Sequence, residues 1–346
     1  MFRGRRSTSH EDEQVDDADI LASSVTSLGS RHYIDPEEQI ATRAAWLYFV
    51  AGLTQAQIGK KLGINRTRVN RVLAQARDQG LVQINITGRL ASCVELEDRL
   101  SQRFGLQEAV VVPTPPDQDM IPQVIATAAA AVLSQRLKNG MSVGVGWGRT
   151  LRLSIQSVPR RRLDRLSVVS LLGGLTRGSA MNPHETASHL ADLLGGQCYY
   201  VAAPALTDTE STRNLLIAQP MLREIFERGA KVDLAFLSVG ALTPGCTMSR
   251  VGLITRSEVD DLLRAGAVGD ICAHWINVEG QLVDHPLNAR AMALPPHYLK
   301  SIPCVVIASG GRTKAQVLHG VLKGGMCKVL ITDEQAAKTI LAMDPA

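Results

Sequence analysis

The sequence predicts an α/β protein in two parts: an N-terminal helix-turn-helix, then a larger domain built on a parallel sheet covered by helices on both faces. Three observations carry this. Residues 53–77 read as two short capped helices across a tight turn, and they hold six Lys or Arg with no Asp or Glu. From residue 108 onward, short β-branched apolar runs alternate with helical segments, the pattern of strands buried on both faces. Several of those runs end in glycine, at the strand ends where α/β sheets bind their ligands.

At 346 residues and 45 % hydrophobic content, the chain can bury the cores of two or three domains. Its net charge is only +4, so any surface for nucleic acid is local. The six cysteines, Cys93, Cys198, Cys246, Cys272, Cys304 and Cys327, are scattered singly, without a CxxC pair or a His at zinc-ligand spacing. This predicts reduced thiols and no metal site. The basic start "MFRGRR" has no apolar stretch behind it, and no run approaches the roughly 18 apolar residues of a membrane span. The expected location is the cytoplasm, with no membrane partner.

Taken in order, residues 1–32 are polar and acidic and read as a disordered tail. Residues 33–88 read as the DNA-binding domain. Its first helix is capped by Asp35, has Pro36 in its first turn, repeats Ile40, Ala44, Leu47 and Val50 at helical spacing, and stops at Gly52. Thr54 and Gln57 stand at capping-box spacing before Ile58 and Leu62, and Gly63 makes the turn. Asn65 then caps a third helix whose Val69, Val72, Leu73 and Ala76 face inward.

That third helix gathers Arg66, Arg68 and Arg71 near its start, where the helix dipole is already positive and disfavours cations. A recognition helix entering a groove flanked by phosphates resolves the conflict, because Arg pairs bidentately with guanine and Asn with adenine. The expected DNA contacts are Thr54, Gln55, Asn65, Arg66, Thr67, Arg68, Asn70 and Arg71. Lys60, Lys61 and Arg77 meet either phosphate or solvent. A solvated basic helix in an ordinary bundle is the competing reading. "LVQINI", residues 81–86, alternates as a strand and resembles the wing that follows such a helix. Residues 89–107 form a linker helix whose Val94, Leu96, Leu100 and Phe104 pack either within one subunit or on a second, as reading two half-sites requires a dimer.

In residues 108–346 the strand runs are "EAVVVP", "MSVGVG", "LSVVSLLGG", "CYYVAAP", "VDLAFLSVG", "CVVIASGG" and "KVLITD", with helices over 119–137, 183–194 and 313–322. "VGVGWGRT" runs into Gly146, Trp147, Gly148, Arg149 and Thr150 at a helix start, a turn that exposes amides and suits a phosphate or sugar phosphate. "LLGGL" with Gly173 and Gly174, and "SGGRTKAQ" with Gly310, Gly311 and Lys314, repeat the ending. α/β turns also use glycine for steric reasons alone. Nothing fits a phosphate loop of the GxxxxGK[ST] type or a dinucleotide fold, so no NAD or ATP cofactor is expected. Asp270, Asn182 and Glu185 could bind sugar hydroxyls or cap the following structure. His184 and His189 are five apart, off one helical face, and unsuited to a shared metal; His274 beside Trp275 reads as packed.

Together, "LTQAQIGKKLGINRTRVNRVLAQARDQGLV", "VGVGWGRTL", "LLGGL", "NPHETASHLADLLGG", "GAVGDI", "IASGGRTKAQVLHGVLKGG" and "LITDEQAA" closely resemble the SorC family of bacterial sugar-binding transcriptional regulators, over residues 36–342 and in the right order. The resemblance implies a winged helix-turn-helix joined to a Rossmann-like effector domain related to sugar-phosphate isomerases and glucosamine-phosphate deaminases. It also implies a homodimer or, commonly, a homotetramer, expected as a repressor, that binds double-stranded operator DNA and releases or reshapes that complex when a sugar, polyol or sugar phosphate binds. Carried onto this chain, the effector pocket would include Gly146, Trp147, Gly148, Arg149, Thr150, Gly173, Gly174, Asn182, Asp270 and Lys314. Asn65 stands where the family more often has Ser or Thr, and His184 where Asn is commoner. The rival reading is an isomerase or deaminase, for which Asp270 and His274 are the acid–base pair the sequence offers.

Overall fold

The computed structural model describes residues 36–78, 80–82, 91–175 and 182–343. The chain divides into two compact units between Val82 and Gln83. The tail, the Asp35 cap and most of the "LVQINI" run, residues 83–86, lie outside the described residues.

The first unit holds α1 (Pro36–Phe49), α2 (Gln55–Leu62) and α3 (Arg66–Asp78). Thr54 and Gln57 form both halves of a capping box, and Gly63 ends α2 in the left-handed region at φ 68°. Asn65 Oδ1 accepts from the Arg68 amide at 2.8 Å, which caps α3. Ala41, Ala44, Ala45, Leu47, Ile58, Val69, Val72, Leu73 and Ala76 make the core. Val50, expected on the inward stripe of the first helix, is exposed instead: α1 ends at Phe49, so Val50 has left the helical period that would have turned it inward.

In the second unit α4 (Ala91–Phe104) precedes a seven-stranded parallel sheet. Its chain order is β1 (Glu108–Val112), α5 (Ile121–Arg136), β2 (Ser142–Val145), α6 (Arg149–Gln156), β3 (Ser167–Gly174), α7 (Pro183–Leu194) and β4 (Gln197–Pro204). After α8 (Glu210–Ala218) and α9 (Pro220–Gly229) comes β5 (Leu234–Leu237); with β9 (Cys304–Ala308) and β10 (Val329–Asp333) joining from further along the chain, it lies at the centre of the spatial order β1-β10-β9-β5-β2-β3-β4. Phe236 in β5 has no exposure, and apolar side chains bury both faces, as a parallel sheet requires. Cys93, Leu96 and Leu100 of α4 are buried within this unit, whereas Val94 is exposed.

One expected strand divides. "VDLAFLSVG" gives β5 and, past Ser238, β6 (Val239–Ala241), which leaves the main sheet. After α10 (Thr247–Arg250) and α11 (Arg256–Arg264), β6 pairs antiparallel with β7 (Gly269–Ile271), and β7 with β8 (His274–Ile276). This small sheet was not expected: three-residue strands are too short for alternation to announce them. The chain closes with α12 (Pro286–Arg290), β9 (Cys304–Ala308), α13 (Ala315–Lys323), β10 (Val329–Asp333) and α14 (Glu334–Ala342). No helix among the described residues is long and apolar enough to cross a membrane.

Candidate functional site

The first unit presents one polar face of α3. Arg66, Thr67, Asn70 and Arg71 are exposed, and their spacing sets them within one arc of the helix opposite Val69, Val72, Leu73 and Ala76. Arg68 is placed differently. Its Nη2 lies 2.5 Å from Glu37 Oε1 of α1, a part-exposed ion pair that ties α3 to α1. Thr54 and Asn65 are both occupied as helix caps, Gln55 opens α2 half-buried, and Lys60 and Lys61 are exposed.

In the second unit a cavity of about 470 Å³ opens beyond the carboxyl ends of the parallel strands, within the range of small-molecule sites. Trp147, Gly148, Arg149 and Thr150 line it from the β2–α6 turn, Asp119 from the turn before α5, and Pro122 from the first turn of α5. Ser238 to Thr243, Arg250, Asp270, Trp275, Thr313 and Lys314 complete most of the wall. Gly310 and Gly311 line an adjoining cavity of about 300 Å³ that shares Pro122, Thr150, Thr313 and Lys314 with the first. Gly148 stands at the N-cap of α6 with no side-chain cap, so the amides there meet the cavity with the Arg149 cation beside them.

Asp270 reaches the cavity from β7. It pairs with Gly240 across the small sheet, and a Cβ at Gly240 would fall 2.1 Å from Asp270 Oδ1, so only glycine leaves room for the carboxylate. Asp270 Oδ2 accepts from the Ala273 amide at 3.2 Å across a hairpin turn whose Cys272 and Ala273 have φ of 49° and 57°. Paired positive φ is what a two-residue hairpin loop requires, and here two non-glycine residues adopt it at a cost in strain. Burial raises the Asp270 carboxyl to about 7, against the amide bond and the Lys314 charge, which lower it. Burial likewise lowers Lys314 to about 8, against the attraction of Asp270. Lys314 Nζ donates to Ser309 Oγ at 3.1 Å, leaving further donors for a ligand.

The remaining expected positions lie elsewhere. Gly146 is buried against Leu237 and Leu151. Gly173 and Gly174 are not on the cavity wall; a Cβ at Gly174 would meet the His184 ring at 2.6 Å, so this glycine serves the close approach of α7 to β3. The His184 ring, in turn, bonds the Val201 carbonyl through Nε2 at 2.9 Å and stacks on Tyr200. Asn182 caps α7, accepting from the His184 amide and donating to the Leu175 carbonyl. Glu185 and His189 line a separate groove with Arg152 and Asp192.

Asp270 and His274 do not converge. Asp270 pairs across the hairpin with Trp275, and His274 with Ile271, so successive pairs put the two side chains on opposite faces of the sheet. His274 is buried, donates to the Cys272 carbonyl through Nδ1 at 2.8 Å, and is lowered to about 4, chiefly by burial. Sequence reasoning missed Ser238, Gly240, Arg250 and Asp119, which come to the cavity from turns and from the small sheet. Among the described residues, no group of His, Cys, Asp or Glu could hold a metal ion, and all six cysteines are free thiols.

A family model for a sugar-binding domain matches residues 88–342. The erythritol catabolism regulatory protein EryD of Brucella abortus (strain 2308) is 32 % identical over 309 residues, spanning 89 % of this chain and 98 % of that protein. The crystal structure of the full-length sorbitol operon regulator SorC from Klebsiella pneumoniae is 26 % identical with a TM-score of 0.66, over 88 % of this chain and 98 % of that one. A DeoR family transcriptional regulator from Listeria monocytogenes is 27 % identical with a TM-score of 0.68, over 72 % of this chain and 100 % of its own.

Proposed function

Because the chain belongs to the SorC family of sugar-binding transcriptional regulators, we propose that it is a repressor of a sugar or polyol catabolic operon whose grip on DNA is set by a small hydroxyl-rich effector. The helix-turn-helix, within residues 33–88, binds the operator through the exposed face of α3. The effector domain, residues 108–346, also assembles the chain into a homodimer or homotetramer, since two half-sites need two helices. The protein acts in the cytoplasm, where the operator is.

The observation that carries this reading is the cavity at the strand ends where Trp147, Gly148, Arg149, Thr150, Asp270 and Lys314 meet. Three cations, Arg149, Arg250 and Lys314, and two carboxylates, Asp119 and Asp270, offer donors and acceptors to several hydroxyls, with a cationic surplus for an anionic end. The isomerase or deaminase reading lacks its acid–base pair, because Asp270 and His274 face apart.

The relatives' names supply the first probes: erythritol, sorbitol and the phosphates of each. Fluorescence anisotropy on DNA from upstream of the neighbouring genes should show one of them weakening DNA binding by about 5- to 150-fold. The same compound should raise the melting temperature. Lys314→Ala should keep DNA affinity and lose the response. If none of the probes, nor a wider panel of sugars and their phosphates, changes DNA affinity, the effector half of the reading falls.

A further inference from the structure

Asp333 ends β10 with no solvent exposure, and both of its carboxylate oxygens are engaged. Oδ1 accepts from the Gly311 amide at 2.6 Å, in the loop that leads to Lys314. Oδ2 accepts from Thr114 Oγ1 at 2.6 Å, just past β1, and that hydroxyl itself accepts from the Gln335 amide at the start of α14. One side chain therefore ties the lysine loop to the segment running from β1 towards Asp119. Both segments border the cavity.

β1 is the edge strand of the sheet, and its Val111 amide points away from β10. It donates to Glu97 Oε1 of α4 at 2.8 Å, and Glu97 is 6 % exposed. A buried carboxylate that takes an edge-strand amide is an expensive fastening to lose, because removing it strands a buried donor. α4 is held further by Arg103, whose Nη1 donates to the Leu341 carbonyl of α14 at 2.8 Å. It is also the first described helix after the helix-turn-helix in the chain.

We propose that Asp333 and Thr114 are positioning residues that fix the lysine loop of the cavity to β1, and that Glu97 passes the setting of β1 to α4. The proposal rests on the regulatory reading above and names the route by which the cavity acts on the helix that follows the DNA-binding unit. Coupling of this kind requires that a change at one end be felt at the other, beyond the residues that touch.

Hydrogen–deuterium exchange on the full-length protein without any effector tests it, so the result is independent of which sugar the cavity takes. Glu97→Met should speed exchange of the amides of residues 309–314 about tenfold, although Glu97 touches none of them. Thr114→Val should do the same and also speed exchange in α4. Glu97→Gln should disturb these amides less than Glu97→Met does, because its amide oxygen still accepts from Val111. Unchanged exchange in β5 and β9 marks an intact fold; if Glu97→Met disturbs those strands, the α4 response to Thr114→Val decides. The proposal is overturned if Glu97→Met changes only α4 and β1, if Thr114→Val leaves α4 as it was, or if Glu97→Gln is as damaging as Glu97→Met.

Discussion

Asp270 and Lys314 face one cavity with opposite charges and no ion pair between them, each shifted towards neutrality by burial. The two shifts act on the empty protein in opposite directions of pH. The folded value of Asp270 lies above its unfolded one, so its contribution is present in acid and is lost as pH rises through about 7. The folded value of Lys314 lies below its unfolded one, so its contribution is present in strong base and is lost as pH falls through about 8. A polyol that donates to the Asp270 carboxylate and accepts from the Lys314 ammonium needs both charges. Its affinity should peak between about 7 and 8 and decline on either side, as a pair titrating together. Calorimetric titration across that range tests this, and Asp270→Asn should flatten the acid limb. A flat profile in the native protein would remove one of the two groups from ligand contact.

At the scale of elements, α3 separates two kinds of arginine. Arg66 and Arg71 project from the exposed face, whereas Arg68 is drawn to Glu37 by an ion pair whose partners are 38 % and 47 % exposed, a pair of modest worth. If α3 enters a groove, Arg71→Ala should lower the slope of log affinity against log salt by about one, the loss of a phosphate contact. Arg68→Ala should leave that slope unchanged and act through the docking of α1 on α3. Equal slopes for Arg71→Ala and the native protein would move the DNA face elsewhere. The caps at Thr54 and Asn65 and the inward positions of α3 were legible because capping and helical period are local. The pairing of Arg68 with Glu37 was not legible in the sequence, because the two lie 31 residues apart, a distance over which no local pattern reports. The parallel strands were legible for the same reason as the caps. The small sheet was not, and with it went Gly240, whose role is defined by a carboxylate 30 positions later in the chain. "LLGGL" shows the converse: a glycine pair at a strand end reads alike whether it faces a ligand or a histidine ring.

Across the whole molecule, control of DNA binding by a sugar is a statement about free energies and binds both ends equally. An effector lowers DNA affinity only to the extent that it binds the free form of the protein better than the DNA-bound form; equal affinity for both shifts nothing, however tight. The factor by which the effector weakens the operator complex must therefore equal the factor by which operator DNA weakens effector binding. We expect saturating operator duplex to raise the effector Kd by the same multiple, about 5- to 150-fold, that saturating effector raises the DNA Kd. Two titrations at one salt concentration measure the pair, because DNA affinity without a stated ionic strength has no fixed value. Glu97→Met should then lower both multiples together towards one while leaving each ligand's affinity for the protein alone near native. If instead the operator is released by the effector while effector affinity ignores the operator, the effector's action on DNA does not pass through this chain's two binding sites at equilibrium.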